Sequence, residues 1–157
     1  MSAMAEMIAR YTAPGRIDAI YLRPERRLDP VLVSSAEIID TGLDGDHGRA
    51  GKRAVTLIQA EHIPAIRALS QNPIVDPGIL RRNIVVSGIN LAALRNRQVK
   101  IGSAIVEFTV PCHPCSRMEE LLGHGGYSAM RGHGGFCAGV ITGGAIAVGD
   151  VITPLEP

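Results

Sequence analysis

The sequence has 157 residues, 46% of them apolar but only 3% aromatic, which fits one domain with an aliphatic core and excludes a disordered chain. Its 16 basic and 15 acidic side chains leave a net charge of +1, so no global field draws the protein to nucleic acid or to an anionic membrane, and any anion site must be local. No apolar run approaches the roughly 20 residues of a membrane span, the opening MSAMAEMIARY is unlike a signal peptide, and the cysteines number three, so the expectation is a cytoplasmic protein with reduced thiols.

In chain order, residues 3–10 predict one short helix, broken at Ala13-Pro14-Gly15. Ile17 to Leu22 and Val31 to Ile39 read as strands. Gly42 to Gly48, dense in glycine and polar side chains, reads as an exposed loop. Arg53 to Ile58 is the next strand, and Gln59 to Leu69 a helix with Ile63 and Ile66 on one side. Leu80 to Val86 reads as a strand opening on Arg81-Arg82-Asn83, which places Arg81 and Asn83 on one face and Arg82 on the other. Asn90 caps a helical turn through Leu94, and Val99 to Ile101 pairs with Ala104 to Val110 across Gly102-Ser103. After Pro111, Ser116 is expected to N-cap a helix to Leu122, with Glu119 as its capping-box acid. Two copies of Gly-His-Gly-Gly, at 123–126 and 132–135, flank a short turn at Tyr127 to Arg131. Final strands lie near Ala138 to Thr142 and Val148 to Thr153. Short strands, Gly/Pro turns and few helices predict a mainly β chain: a closed or partly open β-barrel within a single domain spanning 1–157.

The sharpest chemical signal is Cys112-His113-Pro114-Cys115-Ser116-Arg117. A helix starting just beyond Cys115, with Arg117 nearby, favours thiolate at Cys115, which is therefore the expected functional thiol and the one of lowest pKa. Cys112, at a strand end without a helix behind it, is the next candidate, and Cys137, between Phe136 and Ala138, reads as core. A zinc site built from Cys112, Cys115, His124 and His133 is disfavoured, because these histidines are spread through glycine loops. Arg81-Arg82-Asn83, with Lys52 and Arg53, reads either as a solvated edge or as a bidentate phosphate or carboxylate site. Asp44, Asp46 and His47 read as a polar turn or a metal site. His124, Arg131 and His133 are expected at the mouth of the Cys115 pocket, positioning substrate or moving protons.

Gly45-Asp46-His47, Arg53-Ala54-Val55-Thr56-Leu57, Leu80-Arg81-Arg82-Asn83-Ile84, Ile101-Gly102, Pro114-Cys115 and Val148-Gly149-Asp150 together resemble a MOSC domain. The matches run in family order from about residue 17 to 154. This β-barrel family is related to the C-terminal domain of molybdenum cofactor sulfurases. The resemblance implies binding of the pterin-based molybdenum cofactor (molybdopterin), with Cys115 on the metal and Arg81, Arg82 and Asn83 gripping the pterin phosphate; Arg53, His47 and Arg117 complete the expected cofactor contacts. It implies a molybdenum-dependent reductase of N-hydroxylated small molecules, and His133 and Arg131, from the loop reading above, are the further catalytic candidates beside Cys115. An electron-donor protein is then needed, since the chain lacks a ferredoxin-like cysteine cluster. The other reading is a non-enzymatic carrier that delivers the cofactor, or persulfide sulfur on Cys115, to an acceptor enzyme. Pyridoxal phosphate is not expected, because no aminotransferase-like half is present.

Overall fold

Alternating aliphatic residues build most of the strands in the computed structural model, which describes residues 2–156. In chain order the strands are β1 (Gly15–Leu22), β2 (Val31–Val33), β3 (Ser35–Ile39), β4 (Gly42–Leu43), β5 (Val55–Gln59), β6 (Ile84–Ser87), β7 (Gln98–Ile101), β8 (Ala104–Pro111), β9 (Phe136–Thr142), β10 (Gly144–Ala147) and β11 (Val151–Pro154). Four short helices accompany them: α1 (Ala3–Ala9), α2 (Ile63–Ser70), α3 (Ser116–Leu122) and α4 (Gly126–Met130). Seven strands, in the order β1-β6-β5-β9-β8-β7-β11, form a closed barrel. Closure comes from pairing Gly15 with Ile152 and Arg16 with Val151. Among the described residues only β5 and β6 run parallel, and the crossover that parallel neighbours require carries α2.

Residues such as Ile17, Val55, Leu57, Val86, Ile101, Val106 and Phe108 fill the barrel. A second cluster outside it joins Ile58 and Val85 to Ile63 and Ile66 of α2, Met118 of α3 and Met130 of α4. β5 is buried along its whole length for this reason. Val55 and Leu57 face the barrel, whereas Ile58 faces the helices.

The mainly β barrel expected from the sequence is the fold observed, but local features differ: the final strand expected from Val148 begins at Val151, β10 is an added strand, and the turn expected at Tyr127 to Arg131 is helix α4. The strand expected over Val31 to Ile39 is interrupted at Ser34, because β2 pairs with β1 while β3 leaves to pair with β10 and β4 in a separate three-stranded sheet. Gly42–Leu43, expected as loop, is β4 of that sheet. The expected strand from Leu80 begins only at Ile84: Pro77–Leu80 is a 3₁₀ turn capped by Asp76, and Arg81 is left-handed at φ 60°. The capping box on Ser116 is absent, since Cys115 occupies the N-cap position and Glu119 instead accepts hydrogen bonds from the Gly125 and Tyr127 amides, at 2.9 Å each. Glu119 thus joins α3 to α4. Among the described residues no helix is long and apolar enough to cross a membrane.

Candidate functional site

Three polar residues from distant parts of the chain meet at one end of the barrel. Asp46, on the loop after β4, receives Arg23 in a two-pronged ion pair, Nε to Oδ1 at 3.0 Å and Nη2 to Oδ2 at 2.8 Å. Oδ1 also accepts from the Arg23 amide at 2.6 Å and from Asn83 Nδ2 at 3.0 Å, and Oδ2 accepts from the Gly48 amide at 3.0 Å. Burial alone would raise the Asp46 carboxyl, but the hydrogen bonds and charge of Arg23 outweigh it and hold the group below its ordinary range. Asn83 is 0% exposed and fully used: Oδ1 accepts from the Thr56 amide and hydroxyl at 3.1 Å, and Nδ2 donates to the Tyr21 carbonyl at 3.1 Å. This knot ties β1, β5 and β6 to the Asp46 loop.

The loop then delivers its remaining residues to a cavity of about 1030 Å³. Arg23, Arg26, His47, Arg49, Lys52, Arg53, Cys112, His113, Cys115 and Cys137 are among its lining. Five cations and no carboxylate face this space. His47 is held below its ordinary pKa, first by partial burial and then by the positive charge of Arg23. An adjoining cavity of about 790 Å³ shares Arg23, Arg26, His47 and Cys115 and adds Arg27, Arg81, Arg82 and Arg117, with Glu25 and Glu120. Cys115 is exposed at the junction of the two.

Segment 111–114 forms a wall between the larger cavity and a smaller one of about 270 Å³. The smaller cavity, lined in part by Gln59, His62, Leu91, Ala92 and Phe136, has no arginine, lysine or carboxylate in its lining. Arg82 fixes the wall, donating from Nε to the Gly134 carbonyl at 2.7 Å and from Nη2 to the Cys112 carbonyl at 3.3 Å. A side chain at Gly134 would run into the Cys112 carbonyl, so this close approach requires glycine.

The sequence-predicted residues fall into three groups. Cys115, His47, Arg53, Arg81, Arg82 and Arg117 do converge on the two arginine cavities. Arg81 and Arg82 nevertheless spend donors on carbonyls: Arg81 on Leu28 at 2.7 Å and Glu25 at 3.2 Å, Arg82 on the wall and on Leu80 at 3.0 Å. Arg117 pairs with Glu120 at 3.0 Å, while its Nε is buried without a partner. Asn83, expected at the ligand, offers it no surface. Asp46, read as a polar turn or metal ligand, is the carboxylate of the knot.

His124, Arg131 and His133 do not line either arginine cavity. His133 packs edge-on against His62, with Nδ1 atoms 3.4 Å apart, because the turn after α4 directs it toward α2 rather than toward Cys115. Arg23, Arg26 and Arg49 escaped the sequence reading, although the basic run at 23–27 and the Arg49-to-Arg53 loop were visible as local charge clusters. The lowered thiol of the site is Cys112. The Cys137 thiol hydrogen-bonds to it, and with Arg82, Arg23 and Arg53 this outweighs burial and brings Cys112 down to about 6, while Cys137 is raised.

Fold and site therefore define a small mixed β-barrel with an exposed thiol at the edge of a cavity lined by cationic side chains. The MOSC domain profile matches residues 44–153, more than half of the sequence, and the protein belongs to the MOSC domain family. Solved structures of the same fold include the YuaD protein of Bacillus subtilis, at 17% identity and TM-score 0.77, covering 91% of this chain and 97% of that one. YiiM from Geobacillus stearothermophilus aligns at 18% identity and TM-score 0.73, covering 91% and 76% of the two chains, and YiiM from Escherichia coli at 17% and 0.70, covering 90% and 70%. A search of curated protein sequences returns no significant match.

Proposed function

We propose that the protein binds a phosphate-bearing molybdenum–pterin cofactor, with Cys115 as its protein ligand to the metal, and reduces N-hydroxylated small molecules with electrons from a donor protein. The supporting observation is the carboxylate-free cavity carrying Arg23, Arg26, Arg49, Lys52 and Arg53, with Cys115 exposed at its edge. This donor set fits the group: a soft thiolate suits molybdenum, and clustered guanidinium groups suit a phosphate dianion. Among the described residues no three His, Cys, Asp or Glu side chains converge on a metal.

When bound, the cofactor would supply the two-electron redox step. The chain's own residues do the rest. Arg53, Lys52, Arg49 and Arg26 hold the phosphate, and their exposure leaves their donors available. Arg23 faces the same cavity but is anchored by Asp46, so it supplies a fixed positive charge. His47, kept neutral, can accept or donate a hydrogen bond at the cavity edge. Arg82 and Gly134 keep the 111–114 wall in place and so fix where Cys115 emerges.

The test is metal and pterin analysis of full-length protein purified from a host that makes the cofactor, beside Cys115→Ser and Arg53→Gln variants. Roughly stoichiometric molybdenum, lost in Cys115→Ser, together with turnover of an amidoxime by reduced donor, supports the reading. Loading without turnover converts it to the carrier reading, and normal molybdenum in Cys115→Ser overturns the ligand assignment.

A further inference from the structure

We propose that Cys112 and Cys137 are an oxidisable thiol pair, a site at which a hydroperoxide writes a reversible disulfide, chemically separate from Cys115. The sequence also holds Cys112 and Cys115 at CxxC spacing. The backbone decides against that pairing. Pro111 faces Phe136 at the end of the β8–β9 ladder, and the Cys112 amide continues it with a 2.8 Å bond to the Gly135 carbonyl. Pro111 and Phe136 oppose one another, so Cys112 and Cys137, each one residue further on, both fall on the other side of that pair and stand diagonally across from each other. Residues 112–115 form no turn, and Cys115 is itself extended at φ −124° and ψ 178°. Three extended steps of about 3.3 Å carry Cys115 about 10 Å from Cys112, farther than the roughly 7–8 Å between Cα atoms at which a diagonal neighbour such as Cys137 stands, so Cys137 needs only a small approach of the two strand ends to reach bonding range.

Access and rigidity complete the site. Cys112 is half-buried and lines both the large cationic cavity and the small apolar one, so a peroxide can reach it. Cys137 is only 3% exposed but borders the cationic cavity, which suits a thiol that resolves and does not attack from solvent. Arg82 clamps the Cys112 carbonyl and holds the pair in register. The hydrogen bond from Cys137 and the nearby guanidinium charges lower the Cys112 thiol from its ordinary range and so favour its thiolate, the form that attacks peroxide.

The chemistry balances with hydrogen peroxide as oxidant. The Cys112 thiolate attacks one peroxide oxygen; an S–O bond forms, the O–O bond breaks, and hydroxide leaves with the electron pair. Cys112 is now a sulfenic acid. Cys137 sulfur attacks it, the S–S bond forms, the S–O bond breaks, and the oxygen departs as water with the Cys137 proton. The hydroxide takes up the proton that Cys112 had released, giving a second water. Two thiols are oxidised and one peroxide is reduced.

The experiment treats the reduced full-length protein with hydrogen peroxide at pH 7.5, counts thiols under denaturing conditions, and maps disulfides by peptide mass spectrometry. The three free thiols should fall to one and return to three with dithiothreitol. The bond should join the tryptic peptide ending at Arg117 to the one holding Cys137, and it should persist in Cys115→Ser. In Cys137→Ala, dimedone should trap a sulfenic acid on Cys112. A Cys112–Cys115 disulfide, or three thiols surviving while surface methionines oxidise, overturns the proposal. The wild-type measurement stands alone even if Cys137→Ala fails to fold, and none of these outcomes depends on whether molybdenum is bound.

Discussion

The Arg23–Asp46–Asn83 knot and the cationic rim of Arg26, Arg49, Lys52 and Arg53 adjoin the same cavity, yet they are opposite kinds of polar structure. In the knot, both carboxylate oxygens and both amide heavy atoms of Asn83 have partners, and Asp46 and Asn83 are shut away from solvent. On the rim, among the described residues, Arg26, Arg49 and Arg53 have no carboxylate partner and are exposed. A satisfied network gives a unique geometry and leaves little for a ligand. An unsatisfied ring of like charge contributes nothing to the fold and repels itself until an anion arrives. The knot makes the site; the rim is what the site presents.

The most severe way to break this contrast is Asp46→Ala. It strands Arg23, whose side chain is only 12% exposed, and leaves the Asn83 amide and the Gly48 N–H short of an acceptor. The expected loss is about 3–5 kcal/mol, which for a domain of this size lowers Tm by roughly 10 °C. Thermal unfolding followed by circular dichroism measures it, and a loss below about 1 kcal/mol would mean that the knot is not what fixes the loop. Asn83→Ala removes hydrogen bonds at both ends of one amide in a fully buried place, with an expected cost of about 2–3 kcal/mol. These two effects should not add, because the residues share a hydrogen bond of 3.0 Å.

The knot also has a pH signature. Asp46 is held below its ordinary value of 3.8 in the folded protein, so its stabilisation is fully present above that value and is lost as pH falls through the lower, folded one. Chemical denaturation between pH 5 and 3 should therefore show stability declining with acid. Asp46→Asn, which cannot titrate, should flatten that decline while lowering stability at pH 7. An unchanged slope in the variant would assign the acid sensitivity to other carboxylates.

The same contrast explains how much could be read beforehand. β-branched strands, turn signals and family motifs specify the barrel because they are local or repeat with period two. Asn83 and Arg82 were visible as motif residues, but whether a polar residue is spent inward or offered outward depends on a left-handed Arg81 and a strand that starts four residues late. No local propensity announces that. Arg26 and Arg49 lie in loops with no motif, and only closure of the barrel brings them opposite Cys115. The Cys112–Cys137 contact is likewise a product of strand pairing, 25 residues apart in sequence. Nothing in the spacing of the three cysteines announces that meeting.

The mildest substitution is the most discriminating. Arg53→Gln removes one rim charge from an exposed side chain with no carboxylate partner, so stability should change by no more than about 0.5 kcal/mol. Yet an anion in the cavity loses one charge-assisted hydrogen bond of the strong class, worth about 1.5 kcal/mol and hence roughly tenfold in affinity. Inorganic pyrophosphate serves as the probe, titrated calorimetrically at low ionic strength beside a thermal melt of the same sample. Raising the salt should shrink the difference between wild type and variant, because these charges sit in open solvent and are screened over about 10 Å at 0.1 M. Unchanged pyrophosphate affinity would remove Arg53 from the anion site. A loss of stability comparable to that of Asn83→Ala would place it with the knot instead, and the distinction between the residues that build the cavity and those that serve it would have to be redrawn at this position.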